Sequence, residues 1–130
     1  MSDPISVLDR GYQMMWREGR ADDAVRGLGE DFEWVVPGHP EGDLRLGPES
    51  VFEFFREWTE PWEGLVVDWE LEQGAPERVL AIIHMHGRGR ASGVPAEMHF
   101  SQVWTFRDGR AVRMELYWDN DEARRAAGLA

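Results

Sequence analysis

At 130 residues the chain suits one domain spanning 1–130, and folding at that length buries roughly two-thirds of the surface the unfolded chain exposes, enough for one core. It has no cysteine and no lysine, so disulfides, thiolate nucleophiles, Cys-based zinc sites and Schiff-base chemistry are excluded; its 14 basic residues are all arginines, which stay protonated. The net charge of -11 argues against nucleic acid or an anionic membrane as partner, and with no basic leader and no long apolar run the expectation is a cytoplasmic protein without a membrane span.

Ile5, Leu8, Tyr12 and Met15 recur at helical spacing, with Ser2 or Asp3 as N-cap, Pro4 in the first turn and Gly19 as the stop. Asp22 and Asp23 suit the positive end of a second short helix carrying Val25 and Leu28 and ended by Gly29. A strand is expected from Asp31 to Val36, then a loop over Pro37 to Gly47 long enough to form a lid. Pro48 opens the clearest helix, in which Val51, Phe54, Phe55 and Trp58 share one face. From Leu65 the period changes to two: Val67, Trp69 and Leu71 alternate with acidic residues, three further strands follow, and a terminal helix lies near Asp121 to Ala127. Helices first and a strand meander afterwards is an α+β pattern.

The last hairpin can be oriented because Asp108-Gly109 permits either a two-residue turn or a three-residue turn with a glycine bulge. The two-residue turn sets Trp104 opposite Arg113 and mixes both faces. The three-residue turn puts Met98, Phe100, Gln102, Trp104 and Phe106 with Val112, Met114, Leu116 and Trp118, and register follows hydrophobic pattern. Gln102 is then the polar side chain in the middle of an apolar inner face. A buried amide without partners costs on the order of 1 to 3 kcal/mol, so Gln102 bonds a neighbour or points at a ligand.

The preceding strand begins apolar on both faces. With Val79, Ala81, Ile83 and Met85 inward, the favoured reading, His84 and His86 join Glu97 and His99 outside, where four such groups can in principle hold a metal; no spacing there is diagnostic, so no metal is assigned. With the opposite parity the histidines enter the pocket near Gln102, where either could accept a proton. No dinucleotide fingerprint, P-loop, hydrolase elbow or zincin motif occurs, and no cofactor is called for.

Gly11 to Trp34, the run Gly47-Pro48-Glu49-Ser50-Val51-Phe52-Glu53-Phe54-Phe55, Gly89 to Pro95, Val103 to Arg110 and the closing Glu122 to Leu129 together resemble a SnoaL-like protein, a branch of the ketosteroid isomerase and nuclear transport factor 2-like superfamily. The resemblance covers nearly the whole chain. It implies a cone-shaped α+β barrel, a curved, mostly antiparallel sheet with helices over its concave face, and a homodimer through the outer face. It also places Tyr12 where the steroid isomerase has its oxyanion-binding tyrosine, Val36 near the catalytic base, and Gln102 at the oxyanion-binding acid. Valine takes no proton and glutamine donates a hydrogen bond without acting as acid or base, so the known reactions do not transfer intact.

The pocket set expected on this basis is Tyr12, Trp34, Val36, Phe55, Trp58, Phe100, Gln102, Trp104, Met114 and Trp118, with core packing favoured for Trp34, Trp58 and Trp118. One reading is an isomerase-like or cyclase-like enzyme on an apolar carbonyl or polyketide-like compound, with Gln102 and Tyr12 as donors and His84 or His86 as base. The alternatives are a non-catalytic binder of a small apolar molecule and a dimeric accessory protein.

Overall fold

The computed structural model describes residues 3–28, 31–36 and 44–129. Helix α1, Pro4–Tyr12, starts at Asp3, whose carboxylate accepts from the Ser6 N–H at 2.9 Å and the Ser6 hydroxyl at 3.0 Å. It runs into a π-helical turn, Gln13–Arg17, and the chain reverses at Gly19, where φ is +66°. Helix α2 is Ala21–Arg26, ending two residues before the expected Leu28 and capped at Gly27.

Strand β1, Glu33–Val36, is followed by β2, Leu44–Leu46, a strand inside what the composition suggested was entirely loop. A three-residue strand is too short for periodicity to reveal. Residues 37–43, including His39, lie outside the described part, and with them most of the expected lid. Helix α3 is Pro48–Thr59, and β3 (Trp62–Gln73), β4 (Arg78–Gly89), β5 (Pro95–Arg107) and β6 (Arg110–Tyr117) form the meander. Helix α4, Asn120–Ala126, closes the described chain and is capped by the Asp119 carboxylate.

The sheet has six strands in the order β2-β1-β6-β5-β4-β3. Every pairing is antiparallel except β1 with β6, and the sheet is open, with β2 and β3 at its edges. Leu8 and Tyr12 of α1, Val25 of α2 and Val51 of α3 pack on Val79, Ala81, Ile83 and Met85 of β4 and on Phe100 and Met114 of β5 and β6. Helix α4 lies on the opposite face, where Ala123 and Ala127 bury Leu80 and Val103 in a second cluster. β4 is apolar on both faces from Val79 to Ile83, where both are covered.

The hairpin differs from expectation in an instructive way. Arg107 pairs with Arg110, so the turn is the two-residue one, with Asp108 (φ +53°) and Gly109 (φ +77°) both left-handed. The extra residue sits instead in β6, where the register shifts by one between the Phe106–Ala111 and Thr105–Arg113 pairs. That bulge at Val112 restores the apolar alignment: Trp104 faces Met114, and Gln102 faces Leu116. Ala111, not Val112, is the buried partner of Phe106. The hydrophobic pattern controls register beyond the bulge, while Asp-Gly controls the turn.

Candidate functional site

Between the helices and the inner sheet face lies a cavity of about 410 Å³. α1 and the π turn contribute Tyr12, Met14, Met15 and Trp16; α3 contributes Val51 and Phe55; the sheet supplies Met85, Phe100, Gln102, Trp104, Met114 and Leu116. The wide π turn brings three consecutive side chains to one wall. Trp16 packs against Phe55 at 5.0 Å between ring centres, and Phe32 against Trp104 at 5.8 Å. Arg10, Arg110 and Trp118 are exposed members of the lining and mark where it meets solvent.

Three polar groups converge on its floor. The Tyr12 hydroxyl donates to Gln102 Oε1; Trp104 Nε1 donates to the Tyr12 oxygen at 2.9 Å and lies 3.3 Å from Gln102 Oε1. This network orients the glutamine, since an oxygen must face two donors. Its amide nitrogen, a double donor, has no hydrogen bond to any described residue. Tyr12 itself is fixed from below by Trp69, whose ring stacks on it at 5.4 Å and whose Nε1 donates to Asp9 at 2.8 Å. Burial pushes the Tyr12 phenol above its ordinary pKa of 10.0, and the Trp104 hydrogen bond only partly opposes that. The phenol is therefore a neutral donor at physiological pH.

Of the expected pocket residues, Tyr12, Trp34, Phe55, Phe100, Gln102, Trp104, Met114 and Trp118 line the cavity. Val36 and Trp58 stand on β1 and α3, but their side chains fall outside the described part. Trp118 is not core: it is 61% exposed at the mouth, edge-on to Phe100 at 5.7 Å. The candidate bases His84 and His86 do not reach the cavity; both stand on the outer face, opposite in parity to the buried Ile83 and Met85. Sequence reasoning did not place Met14, Trp16, Phe32 or Met85 in the lining. Met85 was recoverable from the parity of β4, and Trp16 from helical spacing, since it stands four residues after Tyr12 on the same stripe.

A family model described as SnoaL-like domain matches residues 8–114. The chain belongs to the SnoaL-like family. This SnoaL-like chain is also similar to solved structures. An NTF2-like protein of unknown function from Burkholderia pseudomallei is 22% identical at a TM-score of 0.73, covering 96% of this chain and 97% of that one. TerC, co-crystallized with polyporic acid, is 25% identical at a TM-score of 0.69, covering 93% and 95%. A presumed polyketide cyclase from Xanthomonas campestris is 18% identical at a TM-score of 0.69, covering 91% of each chain. No curated protein matches the sequence. These likenesses agree with the α+β architecture of an NTF2-like fold. Among the described residues of this SnoaL-like chain, no helix is long and apolar enough to cross a membrane.

Proposed function

We propose that this SnoaL-like protein binds, without transforming it, a small and largely apolar molecule carrying a carbonyl-type oxygen, with the Gln102 amide nitrogen as the donor that orients it. The observation that carries this reading is the apolar cavity with one polar cluster on its floor, in which Tyr12 and Trp104 use Gln102 Oε1 and leave the amide N–H groups for a ligand. A proton-transfer reaction needs an acceptor in the pocket. The outward histidines remove the candidates the sequence offered. Asp23, the carboxylate among the described lining residues, is paired with Arg20 at 3.0 Å and Arg26 at 3.2 Å at the solvent edge. TerC, solved with polyporic acid, supports the use of such a fold for a small organic molecule. A second copy on the outer sheet face remains a proposal of its own, checked by light scattering of the eluting protein.

Quenching of tryptophan fluorescence by polyporic acid, benzophenone and diphenylmethane tests the reading, because the last two differ by a single carbonyl oxygen. Saturable binding is expected, with benzophenone favoured. In Gln102→Leu that preference shrinks by roughly 2- to 10-fold, the value of one net hydrogen bond, while diphenylmethane binding is kept. Equal loss for both compounds, or consumption of a ligand on prolonged incubation, overturns it.

A further inference from the structure

The outer face of β4 and β5 carries a cluster of donors that the pocket does not use. His84 and His99 are direct cross-strand partners, and Glu97 follows two residues before His99 on the same face. Glu97 Oε1 lies 2.8 Å from His99 Nε2 and 3.2 Å from His84 Nε2. The three ligand atoms all fall within 4.8 Å of one another. His84 Nε2 is shielded from solvent and has no aligned hydrogen bond among the described residues, although the carboxylate is beside it. An imidazole nitrogen that aims at a carboxylate without bonding it is a lone pair, or an N–H, left idle.

We propose that this cluster is a divalent transition-metal site, taking Zn²⁺ through His84 Nε2, His99 Nε2 and Glu97 Oε1, with water completing the shell. Tetrahedral zinc at 2.0–2.1 Å from its ligands requires them about 3.3 Å apart, and the two separations to Glu97, 3.2 and 2.8 Å, both lie just below that value. Imidazole and carboxylate donors suit zinc, nickel and copper rather than magnesium or calcium. The two rings are now stacked, 4.2 Å apart and 3° from parallel. Nitrogen lone pairs lie in the ring plane, so a shared ion requires one ring to tilt. His99, the more exposed at 65%, has the room. Asp68 is not in the set: Arg17 engages it at 3.2 Å, and it stands 3.9 Å from His86. A bound ion ties β4 to β5 on the face opposite the cavity, so the site is independent of what the pocket binds.

Titration calorimetry of the tag-free full chain with Zn²⁺ is the test, with the visible absorption of the Co²⁺ form as second readout. One ion per chain is expected, at micromolar affinity or tighter, with tetrahedral-type Co²⁺ absorption. His99→Ala and His84→Asn each weaken binding at least tenfold, and His39→Ala does not. Because His99 is exposed, His99→Ala keeps the fold, checked by circular dichroism, and decides the matter if His84→Asn fails to fold. Absence of stoichiometric binding, or affinity unchanged in His99→Ala, overturns the proposal.

Discussion

Replacing Tyr12 by phenylalanine removes one hydroxyl and keeps the ring that stacks on Trp69 and meets Trp104 edge-on. In the native background Trp104 Nε1 loses an acceptor at 2.9 Å and retains Gln102 Oε1 at 3.3 Å. No buried donor is orphaned, so the cost is that of one net hydrogen bond, about 1 kcal/mol. The same change in a Gln102→Leu background begins from a different state. There the hydroxyl hydrogen has lost its acceptor, while the hydroxyl oxygen still serves Trp104. Removing the hydroxyl relieves one unpaired group and creates another, for a net change of about 0 kcal/mol. The double-mutant cycle thus gives a coupling of about 1 kcal/mol, above the few tenths that independent sites show. Urea denaturation of the four proteins measures it, and the Tyr12→Phe cost appears independently as roughly 3 to 4 °C in Tm for a chain of this size. Equal costs in both backgrounds, within about 0.3 kcal/mol, would refute the shared network.

Two further outcomes concern stability. A Cβ on Gly74 would sit 2.1 Å from the Ala127 carbonyl oxygen, which already accepts from the Ala75 N–H at 2.8 Å, so Gly74→Ala must push the end of α4 away. A loss of about 1 to 3 kcal/mol follows, and an unchanged urea midpoint contradicts the close approach. Both tyrosines, Tyr12 and Tyr117, are shifted upward, mainly by burial, from 10.0. The folded state then holds protons that the unfolded state releases, so stability is complete below about pH 10 and declines as pH rises beyond it. Tyrosinate absorbance should titrate later in the folded chain than in urea, and coincident curves would count against it.

The fold was legible wherever one face of an element is buried and the other wet. Val67, Trp69 and Leu71 in β3 and Phe100, Trp104 and Phe106 in β5 alternate cleanly, and they turn inward as the pattern requires. It was less legible where two local signals compete, as at Asp108-Gly109, whose turn preference and whose flanking pattern differ by one residue and are reconciled by the bulge at Val112. Trp118 differs for another reason: parity gives its side of the strand but not the strand's end, and beyond Tyr117 it is left 61% exposed, with Phe100 edge-on to it. Gln102 was singled out correctly as an oddity of the inner face. Its partners Tyr12 and Trp104 lie 90 residues and two residues away, and only the packing of α1 on the sheet brings all three together.

β4 decides which chemistry the cavity can hold. On its outer face the sequence reads Leu80, Ile82, His84, His86, and the change from aliphatic to imidazole coincides with the end of the cover that α4 provides. A seven-residue helix is about 10 Å long, enough to lie over only about three residues of strand at ~3.4 Å each. Residues past that limit meet water and can be polar without cost. The inner parity at the same level is Ile83 and Met85, buried against α1 and the cavity. The four-residue stretch Ile83-His84-Met85-His86 therefore divides its roles by face: it gives the pocket apolar walls and the outer surface its metal-binding type of donors. Moving the histidines inward would require a one-residue slip of β4 against both β3 and β5, turning Ile83 and Met85 onto the outer face beyond the cover of α4. At about 1.5 to 3 kcal/mol for each large aliphatic side chain, that slip is closed to the folded chain, and the polar groups on the described floor of the cavity are those of Tyr12, Gln102 and Trp104.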